Sequence, residues 1–251
     1  MSMIAAAVIL AGCFCALIYM IHNDLKKTGH ADTTDEAVTN AEPPVLIDTT
    51  EQVLAYYPQF SRIDLVCGSM PEQSDSAVIF CAEAAFTHEL LNTFAHSNID
   101  GDHVSGGQRY TGAKCKDNSG AFVSWGKQWQ FVQGDYSAAL DDAASNSGMG
   151  FGQASIIHNG KRVKKLWRRG ENHYRALCEK DGALCIVDSR NSVHYADFVD
   201  MLENYGVSEA LYLDMGSGWN HSWWRDVQGE VHEIHPKSSS SFCTNWITFY
   251  R

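Results

Sequence analysis

An aspartate stands at the end of an apolar strand in the stretch ALYLDMGSGWNHSWWRD, residues 210–226. The apolar residues lead directly to Asp214, which is followed by a turn containing Gly216 and Ser217. Glycine lets a backbone approach a ligand closely, and the N–H groups of such a turn can bind a phosphate or another oxyanion. The alternative is that Asp214 only caps the turn through its own backbone, as aspartate commonly does.

Several familiar catalytic motifs are missing from the sequence. A serine-hydrolase elbow around Ser217 would need glycine where Met215 stands. The sequence also has no Walker loop, no dinucleotide-binding fingerprint and no His-Glu-x-x-His motif. His232 and His235 in HEIH would point to opposite faces of an extended chain, so we interpret them as surface histidines rather than metal ligands.

Composition excludes one large class of partner. The 251 residues are 45% apolar, which is enough for one sizeable core. The formal net charge is −11, whereas a protein that neutralises nucleic acid phosphates normally presents a basic face. We therefore expect no nucleic acid partner.

The N-terminus contains an uncharged apolar stretch over residues 3–21. As a helix it could cross about 30 Å of hydrocarbon. It is either an uncleaved membrane anchor or a signal, and LAGC at residues 10–13 has the pattern of a lipoprotein cleavage site with Cys13 as the lipidated residue. We expect an exported protein, anchored to the membrane through this segment or released to the periplasm or exterior.

The chain divides into three parts in this interpretation. Residues 1–21 form the signal or anchor, and residues 22–47 are polar and acidic, as in a flexible linker. Residues 48–251 form one domain. Six cysteines fall beyond the apolar segment, an even number that fits disulfides in an oxidising compartment.

One pair of cysteines is placed opposite each other by a predicted hairpin. In CEKDGALC, a two-residue turn at Asp181-Gly182 would bring Cys178 directly across from Cys185, within reach of a disulfide. Two small buried thiols are an equally good interpretation of the pair.

Hydrophobic periodicity and turn signals predict an α+β domain with a mixed, largely antiparallel sheet and flanking helices. Helices are predicted from Thr49 or Thr50 to the residue before Pro58, and within 87–97, 136–146 and 194–206. Strands are predicted within 76–86, 208–216 and 240–251, hairpins within 153–167 and 174–190, and loops with short strands over 98–126.

The order of motifs over residues 174–218 resembles the phosphodiester glycosidase family, that of the mannose 6-phosphate uncovering enzyme. The motifs are YRALCEKDGALCIVDSR, an amphipathic helix, and GVSEALYLDMGSG. In the family, a strand with arginine, an Asp-Gly hairpin, a strand ending in aspartate and a final Leu-Asp pair occur in this order. They match Arg175, Asp181-Gly182, Asp188 and Leu213-Asp214.

Several positions depart from the family pattern. Ala176 stands where threonine is usual, Met215 and Ser217 replace glycines, and Gly218 replaces a serine. Upstream, AEAAFTHELLNTFAH takes the place of an Asn-Gly-Gly-Phe-Phe element. These changes are typical of a divergent bacterial branch, and they bear directly on the anion-binding turn.

The resemblance implies hydrolysis of a sugar-1-phosphodiester, with a phosphate monoester as the leaving group. Arg175 would bind the phosphate with its guanidinium fork. Asp214 would act as nucleophile or as base on a water molecule, and Asp188 or Glu83 would be the second carboxylate. The alternative for Arg175 is a buried ion pair with Asp188 that only orders the sheet.

Polar residues around the predicted site are candidates for substrate binding. They are His103, Gly216, Ser217, Asn220 and His221. No metal ligand is assigned, although an acidic site would suit Ca²⁺ or Mg²⁺. The predicted partner is a carbohydrate or glycan phosphodiester, and the alternative function is an inactive carbohydrate- or cell-wall-binding domain on the same scaffold.

Overall fold

Antiparallel strands make up about half of the described chain. The computed structural model describes residues 42–87, 99–163, 170–216, 220–235 and 243–251. The strands are β1 (Val45–Thr49), β2 (Val53–Pro58), β3 (Arg62–Cys67), β4 (Val78–Glu83), β5 (His103–Ser105), β6 (Gln108–Tyr110), β7 (Gly120–Trp125), β8 (Gln128–Gln133), β9 (Met149–Gln153), β10 (Ser155–His158), β11 (Lys161–Arg162), β12 (Glu171–Asn172), β13 (Arg175–Lys180), β14 (Ala183–Ser189), β15 (Val193–His194), β16 (Glu209–Leu213), β17 (Ser222–Arg225), β18 (Val231–Ile234) and β19 (Asn245–Tyr250). The helices are α1 (Ser137–Ser145) and α2 (Tyr195–Tyr205).

A seven-stranded sheet lies at the centre, in the order β1-β2-β14-β13-β16-β10-β11. Its middle strand β13 pairs with β14 on one side and with β16 on the other, both antiparallel. This register places Arg175 opposite Asp188 on β14 and opposite Leu213 on β16. The end of β13 that carries Arg175 therefore lies beside the residue that precedes Asp214.

Two tight turns establish this sheet locally. Asp181 and Gly182 have φ angles of 52° and 75°, and Asn159 and Gly160 have 51° and 68°. Left-handed φ at both central residues is the requirement of a type I′ turn, which matches the twist of a hairpin. The structure confirms the predicted hairpins, and Cys178 lies opposite Cys185 as expected.

Two five-stranded sheets adjoin the central one, in the orders β18-β17-β4-β19-β3 and β6-β5-β9-β7-β8, and β12 pairs with β15. Strand β4 is in the middle of the first of them, between β17 and β19. All six residues of β4 are buried, and the last is Glu83. A carboxylic acid therefore ends a strand that is otherwise apolar.

The two faces of the seven-stranded sheet are buried against different partners. Alternate side chains of a strand point to opposite faces. Leu177 and Leu211 face a core that includes Phe80, Phe122 and Phe249 of the two five-stranded sheets. On the other face, small side chains such as Ala176 pack in a cluster with Phe198 and Leu202 of α2.

The predicted α+β class is wrong, because the structure is mostly β with several antiparallel sheets. Every pairing between the named strands is antiparallel. The helix predicted to end before Pro58 is instead a turn at Thr50 followed by β2, which pairs on both sides with β1 and β14. The Thr50 hydroxyl accepts the N–H of Val53 at 3.0 Å, a local bond that competes with helix formation.

The other predicted elements have mixed outcomes. The helix over 194–206 is confirmed as α2, and the strands predicted within 76–86, 208–216 and 240–251 are confirmed as β4, β16 and β19. The apolar segment 3–21 and most of the helix predicted over 87–97 lie outside the described residues. Within the part that is described, no helix combines the length and apolarity needed to cross a membrane.

The two facing cysteines of the hairpin are free thiols. Cys178 and Cys185 lie opposite each other without a disulfide bond between them. Both members of the facing pair are fully buried in the core between the central sheet and α2. The structure thus has the second of the two predicted arrangements, a pair of small buried thiols.

We expect the end of α2 to depend on a glycine. Gly206 has φ 86°, and its N–H reaches the carbonyl oxygens of Leu202 and Glu203 at 3.2 and 3.0 Å. An added Cβ would meet nothing within 4 Å, so the effect of a side chain is conformational. Gly206→Ala should lower the free energy of unfolding by about 1 kcal/mol in urea denaturation. Gly206→Asn should lower it less, because asparagine tolerates the left-handed region; equal losses for both variants would contradict this account.

Candidate active site

The candidate site lies where strand ends from two sheets meet. Strand β4 ends at Glu83 in a five-stranded sheet, and β16 ends one residue before Asp214 in the seven-stranded sheet. The N–H of Asp214 donates to the carbonyl oxygen of Ala84 at 3.0 Å. A backbone hydrogen bond therefore ties the two carboxyl-bearing segments together.

Glu83 is buried among hydrogen-bond donors. Only 2% of the Glu83 surface is exposed to solvent. The thiol of Cys243 donates to Oε2 at 2.6 Å, and the Nδ2 group of Asn220 donates to the same oxygen. The hydroxyl of Thr87 donates to Oε1 at 3.4 Å. These partners come from three separate parts of the chain and fix the orientation of the carboxyl group.

The surroundings of Glu83 favour its protonated form. Burial raises the pKa of Glu83 well above the ordinary value of 4.5, and the negative charge of Asp214 raises it further. The hydrogen bonds from Cys243 and Thr87 and the positive charge of Arg175 oppose this shift without cancelling it. Glu83 thus keeps its proton over a wider pH range than an exposed glutamate does.

Asp214 is in a different environment, at a partly exposed turn. Its Oδ1 atom accepts the N–H of Gly216 at 2.9 Å, and its carbonyl oxygen accepts Nδ2 of Asn220 at 3.1 Å. Gly216 has φ 50°, and a Cβ there would lie 2.9 Å from Oδ1 of Asn220. One oxygen of Asp214 therefore caps the turn, and glycine is needed at position 216 to bring Asn220 close.

Arg175 and Asp188 form a buried ion pair beside these carboxyl groups. Arg175 is 1% exposed and Asp188 is 7% exposed. The guanidinium donates Nε to Oδ1 and Nη2 to Oδ2 of Asp188, each at 2.6 Å. Its Nη1 donates to the hydroxyl of Ser222 on β17 at 2.7 Å. The pair therefore links the seven-stranded sheet to the sheet that carries Glu83, which is the ordering role proposed as the alternative for Arg175.

Three histidines lie near one another, and one of them, His235, is close enough to the ion pair to sense its charges. His221 is fully buried, and its Nδ1 atom is 2.7 Å from the carbonyl oxygen of His235. The ring of His173 meets that of His235 edge to face, with centroids 5.8 Å apart. Burial lowers the pKa of His235, and the nearby positive charge of Arg175 lowers it further. His235 therefore favours the neutral imidazole.

The backbone at His235 is also unusual. Its φ angle is 62°, in the left-handed region that side chains other than glycine, asparagine and aspartate seldom adopt. The prediction that His235 is a surface histidine is wrong, because the residue is half-buried beside the ion pair. His232 is indeed more exposed, and it bonds to Asp226 at 2.7 Å. The signal for His235 would have been the hairpin of β17 and β18, which places it across from His221.

Most of the predicted site residues lie together in the structure. Seven of them lie at or next to the ends of β4, β13, β14, β16 and β17. They are Glu83, Arg175, Asp188, Asp214, Gly216, Asn220 and His221. His103 is on β5 of another sheet, where its ring stacks on Tyr110 and its Nδ1 atom contacts the carbonyl oxygen of Gly101. Ser217 lies outside the described residues.

Other polar groups of the site were not predicted from the sequence. They are Thr87, His173, Ser222, His235 and Cys243. Within the described ranges, no group of three or more His, Cys, Asp or Glu side chains converges to hold a metal ion. Glu83 is surrounded by N–H, O–H and S–H donors, a setting that suits a hydrogen-bonded carboxyl group better than a Ca²⁺ or Mg²⁺ ligand.

The fold is shared with a glycosidase catalytic domain. No protein-family model and no curated protein matches this sequence. Among solved structures, the chain is similar to the zebrafish N-acetylglucosamine-1-phosphodiester alpha-N-acetylglucosaminidase catalytic domain auto-inhibited by pro-peptide, with a TM-score of 0.58, 85% of each chain covered and 10% identity. A hypothetical protein from Synechocystis matches at a TM-score of 0.49 and 11% identity, over 82% of this chain and 61% of that chain. The first of these similarities establishes a distant relationship in fold.

We expect the ion pair to be essential for stability. Arg175→Met leaves Asp188 as an unpaired buried charge, which should lower the free energy of unfolding by about 3 to 5 kcal/mol in urea denaturation. The double variant Arg175→Met/Asp188→Leu should recover part of this loss, because no buried charge remains. Arg62→Met is the matched control: it breaks an exposed pair with Asp64 and should cost about 1 kcal/mol or less. A loss in Arg175→Met no larger than in the control would contradict the assignment.

We expect Glu83 to make stability depend on pH. The folded protein keeps the Glu83 proton at pH values where the unfolded chain, with its pKa near 4.5, has lost it. The unfolded state then binds fewer protons, so the free energy of unfolding falls as the pH rises from 4.5 through the raised pKa of the folded state. Glu83→Gln, which cannot ionise, should therefore gain stability relative to the natural protein across that interval.

The measurement is urea denaturation of both proteins at several pH values between about pH 4 and about pH 8. The exposed Glu51 gives a control, Glu51→Gln, whose stability difference from the natural protein should change little with pH. A difference between Glu83→Gln and the natural protein that does not vary with pH would show that Glu83 has no raised pKa.

Proposed function

We propose that this protein is a hydrolase that cleaves glycosyl phosphodiesters at the anomeric carbon. The observation that supports it most is the pair of carboxyl groups in unlike surroundings, Glu83 buried and Asp214 partly exposed. Asn220 holds the two residues near each other, because its Nδ2 group donates to the Glu83 carboxyl group and to the main-chain carbonyl oxygen of Asp214. Glycosidases use two such groups, one protonated and one ionised, and set the difference by environment. The fold shared with a phosphodiester glycosidase catalytic domain supports the same reaction class.

The two carboxyl groups have distinct roles in this proposal. Glu83, whose pKa is raised, donates its proton to a phosphate oxygen of the leaving group. Asp214 attacks the anomeric carbon or removes a proton from a water molecule that attacks it. The bond between the anomeric carbon and the phosphate oxygen breaks and releases a phosphate monoester. Water then supplies the hydroxyl group of the free sugar, either by attacking the anomeric carbon directly or by hydrolysing the ester that the sugar has formed with Asp214.

Arg175 is a positioning residue in this proposal, and it acts on the site through its charge and through the residues to which it is hydrogen-bonded. Its three described hydrogen bonds go to Asp188 and Ser222, so its guanidinium fork is already engaged. A buried cation still acts through a low dielectric, and the Arg175 charge opposes the rise in the pKa of Glu83. We propose that the same field attracts the negatively charged phosphate of the substrate to the site.

A binding domain without catalysis is the second candidate. It is favoured by the turn-capping bond from Gly216 to Asp214 and by the engagement of Arg175 with Asp188. In that case the residues of the candidate site would hold a glycan and release it unchanged. The two candidates differ in turnover, not in binding.

The test is a hydrolysis assay with the full-length protein in detergent, on N-acetylglucosamine linked through its anomeric phosphate to a simple alcohol. We expect release of N-acetylglucosamine, and a loss of kcat by about 10² to 10⁴ in Glu83→Gln and in Asp214→Asn, because each removes a proton-transfer or nucleophilic group. Asp226→Asn is the matched control, since Asp226 lies on another turn where it pairs with His232.

The controls separate the two candidates. Glu83→Gln and Asp214→Asn should both keep the near-UV spectrum of the folded protein and should melt as cooperatively as the natural protein. Turnover that survives in both variants would overturn the assignment of the carboxyl groups. Binding of the phosphodiester by the natural protein with no release of sugar would favour the binding domain.

A further inference from the structure

A groove lined with aromatic and amide side chains lies at the far end of the central sheet from the site. It consists of two clefts of about 500 Å³ each that meet at Trp129. One cleft is lined by Phe60 and Ala183, among others, and the second by Trp125 and Gln130. We call the two clefts together the Trp129 groove.

Trp129 is held in place by contacts that leave part of its ring exposed to a ligand. Its Nε1 atom donates to Oε2 of Glu179 at 2.9 Å, and Glu179 belongs to strand β13 of the neighbouring sheet. The ring also packs against Phe60, with centroids 5.9 Å apart. Most large aromatic side chains are buried, whereas Trp129 is only partly buried and faces both clefts. A ring fixed in this way loses little conformational entropy when a ligand stacks on it.

The polar lining of the groove combines glutamine amides with three charged side chains, those of Glu42, Lys127 and Glu179. Gln128 and Gln130 are exposed on β8, and their amides both donate and accept hydrogen bonds. Lys127 is the cation that borders both clefts. Nucleic acid would need several cations along such a groove, and the centre of a protein interface would be more apolar. Flat aromatic faces beside amide groups fit a neutral, polyhydroxylated ligand.

The groove is separate from the active site but lies on the same strand. Glu179, which holds Trp129, is four residues from Arg175 along β13. At about 3.3 Å per residue the two positions are about 13 Å apart. A glycan of several sugar units can extend over that distance, so both regions could engage one chain.

We propose that the Trp129 groove binds neutral sugar units of the glycan whose phosphodiester the active site cleaves. The inference rests on the proposed function for its choice of ligand. Sugar rings stack on the faces of Trp129 and Trp125, and the amides of Gln128 and Gln130 bind hydroxyl groups. The groove then holds a polymeric substrate on the protein and does not take part in bond cleavage.

The test uses neutral tetrasaccharides, which carry no phosphodiester. Binding of chitotetraose, cellotetraose and maltotetraose to the full-length protein is measured by titration calorimetry. We expect at least one to bind, and Ala183→Arg to weaken it about tenfold or more, because a long side chain at this exposed position fills the groove without entering the core. Ala196→Arg, at an exposed position on α2, is the matched control and should bind as the natural protein does.

A second variant checks the stacking itself. Trp129→Ala should lose tetrasaccharide binding, and cooperative thermal melting would show that this variant is folded. If Trp129→Ala does not fold, the test depends on Ala183→Arg. Failure of all three sugars to bind the natural protein, or unchanged binding in Ala183→Arg, would overturn the proposal. Tetrasaccharide binding that depends on the groove in a protein without hydrolytic activity would support the groove and refute only the proposed reaction.

Discussion

The buried pair of Arg175 and Asp188 is the constraint on which the rest of the site depends. It joins β13 to β14 within one sheet, and through Ser222 it joins them to β17 of another. A buried ion pair gains little over a well-packed apolar pair, but the loss of one partner is costly. The pair therefore acts mainly as a fixed point that sets where the ends of these strands lie, and with them the carboxyl groups and histidines around it.

The site contains features that lower the stability of the folded protein. Glu83 ends a fully buried strand, and His235 has a left-handed backbone conformation. Burying a carboxyl group costs free energy even when it is hydrogen-bonded, and so does a strained φ angle. The surrounding sheets supply the stability that allows both to persist. Such locally unfavourable features concentrate where proteins bind and react.

Local chemistry explains what the sequence could predict. The turn at Asp181-Gly182 and the left-handed Gly206 depend on neighbouring residues, so the hairpin and the end of α2 were predictable. The helix predicted from Thr49 or Thr50 to the residue before Pro58 is wrong, because the strand character of these residues depends on pairing with β14, about 130 positions away in the chain. The same distance effect hid Cys243 and His235, whose contacts with Glu83 and His173 join remote segments. Asp214 and Arg175 could be predicted as site residues because each lies in a short sequence motif.

The two carboxyl groups belong to different sheets, with Glu83 ending β4 and Asp214 following β16. Their separation is therefore set by how those sheets pack, through large side chains such as Phe80 and Leu213 in the core between them. In glycosidases the distance between the two carboxyl groups determines whether the anomeric configuration of the product is retained or inverted. The stereochemistry of such a reaction would then be decided by hydrophobic packing in the interior, at positions that never touch the sugar.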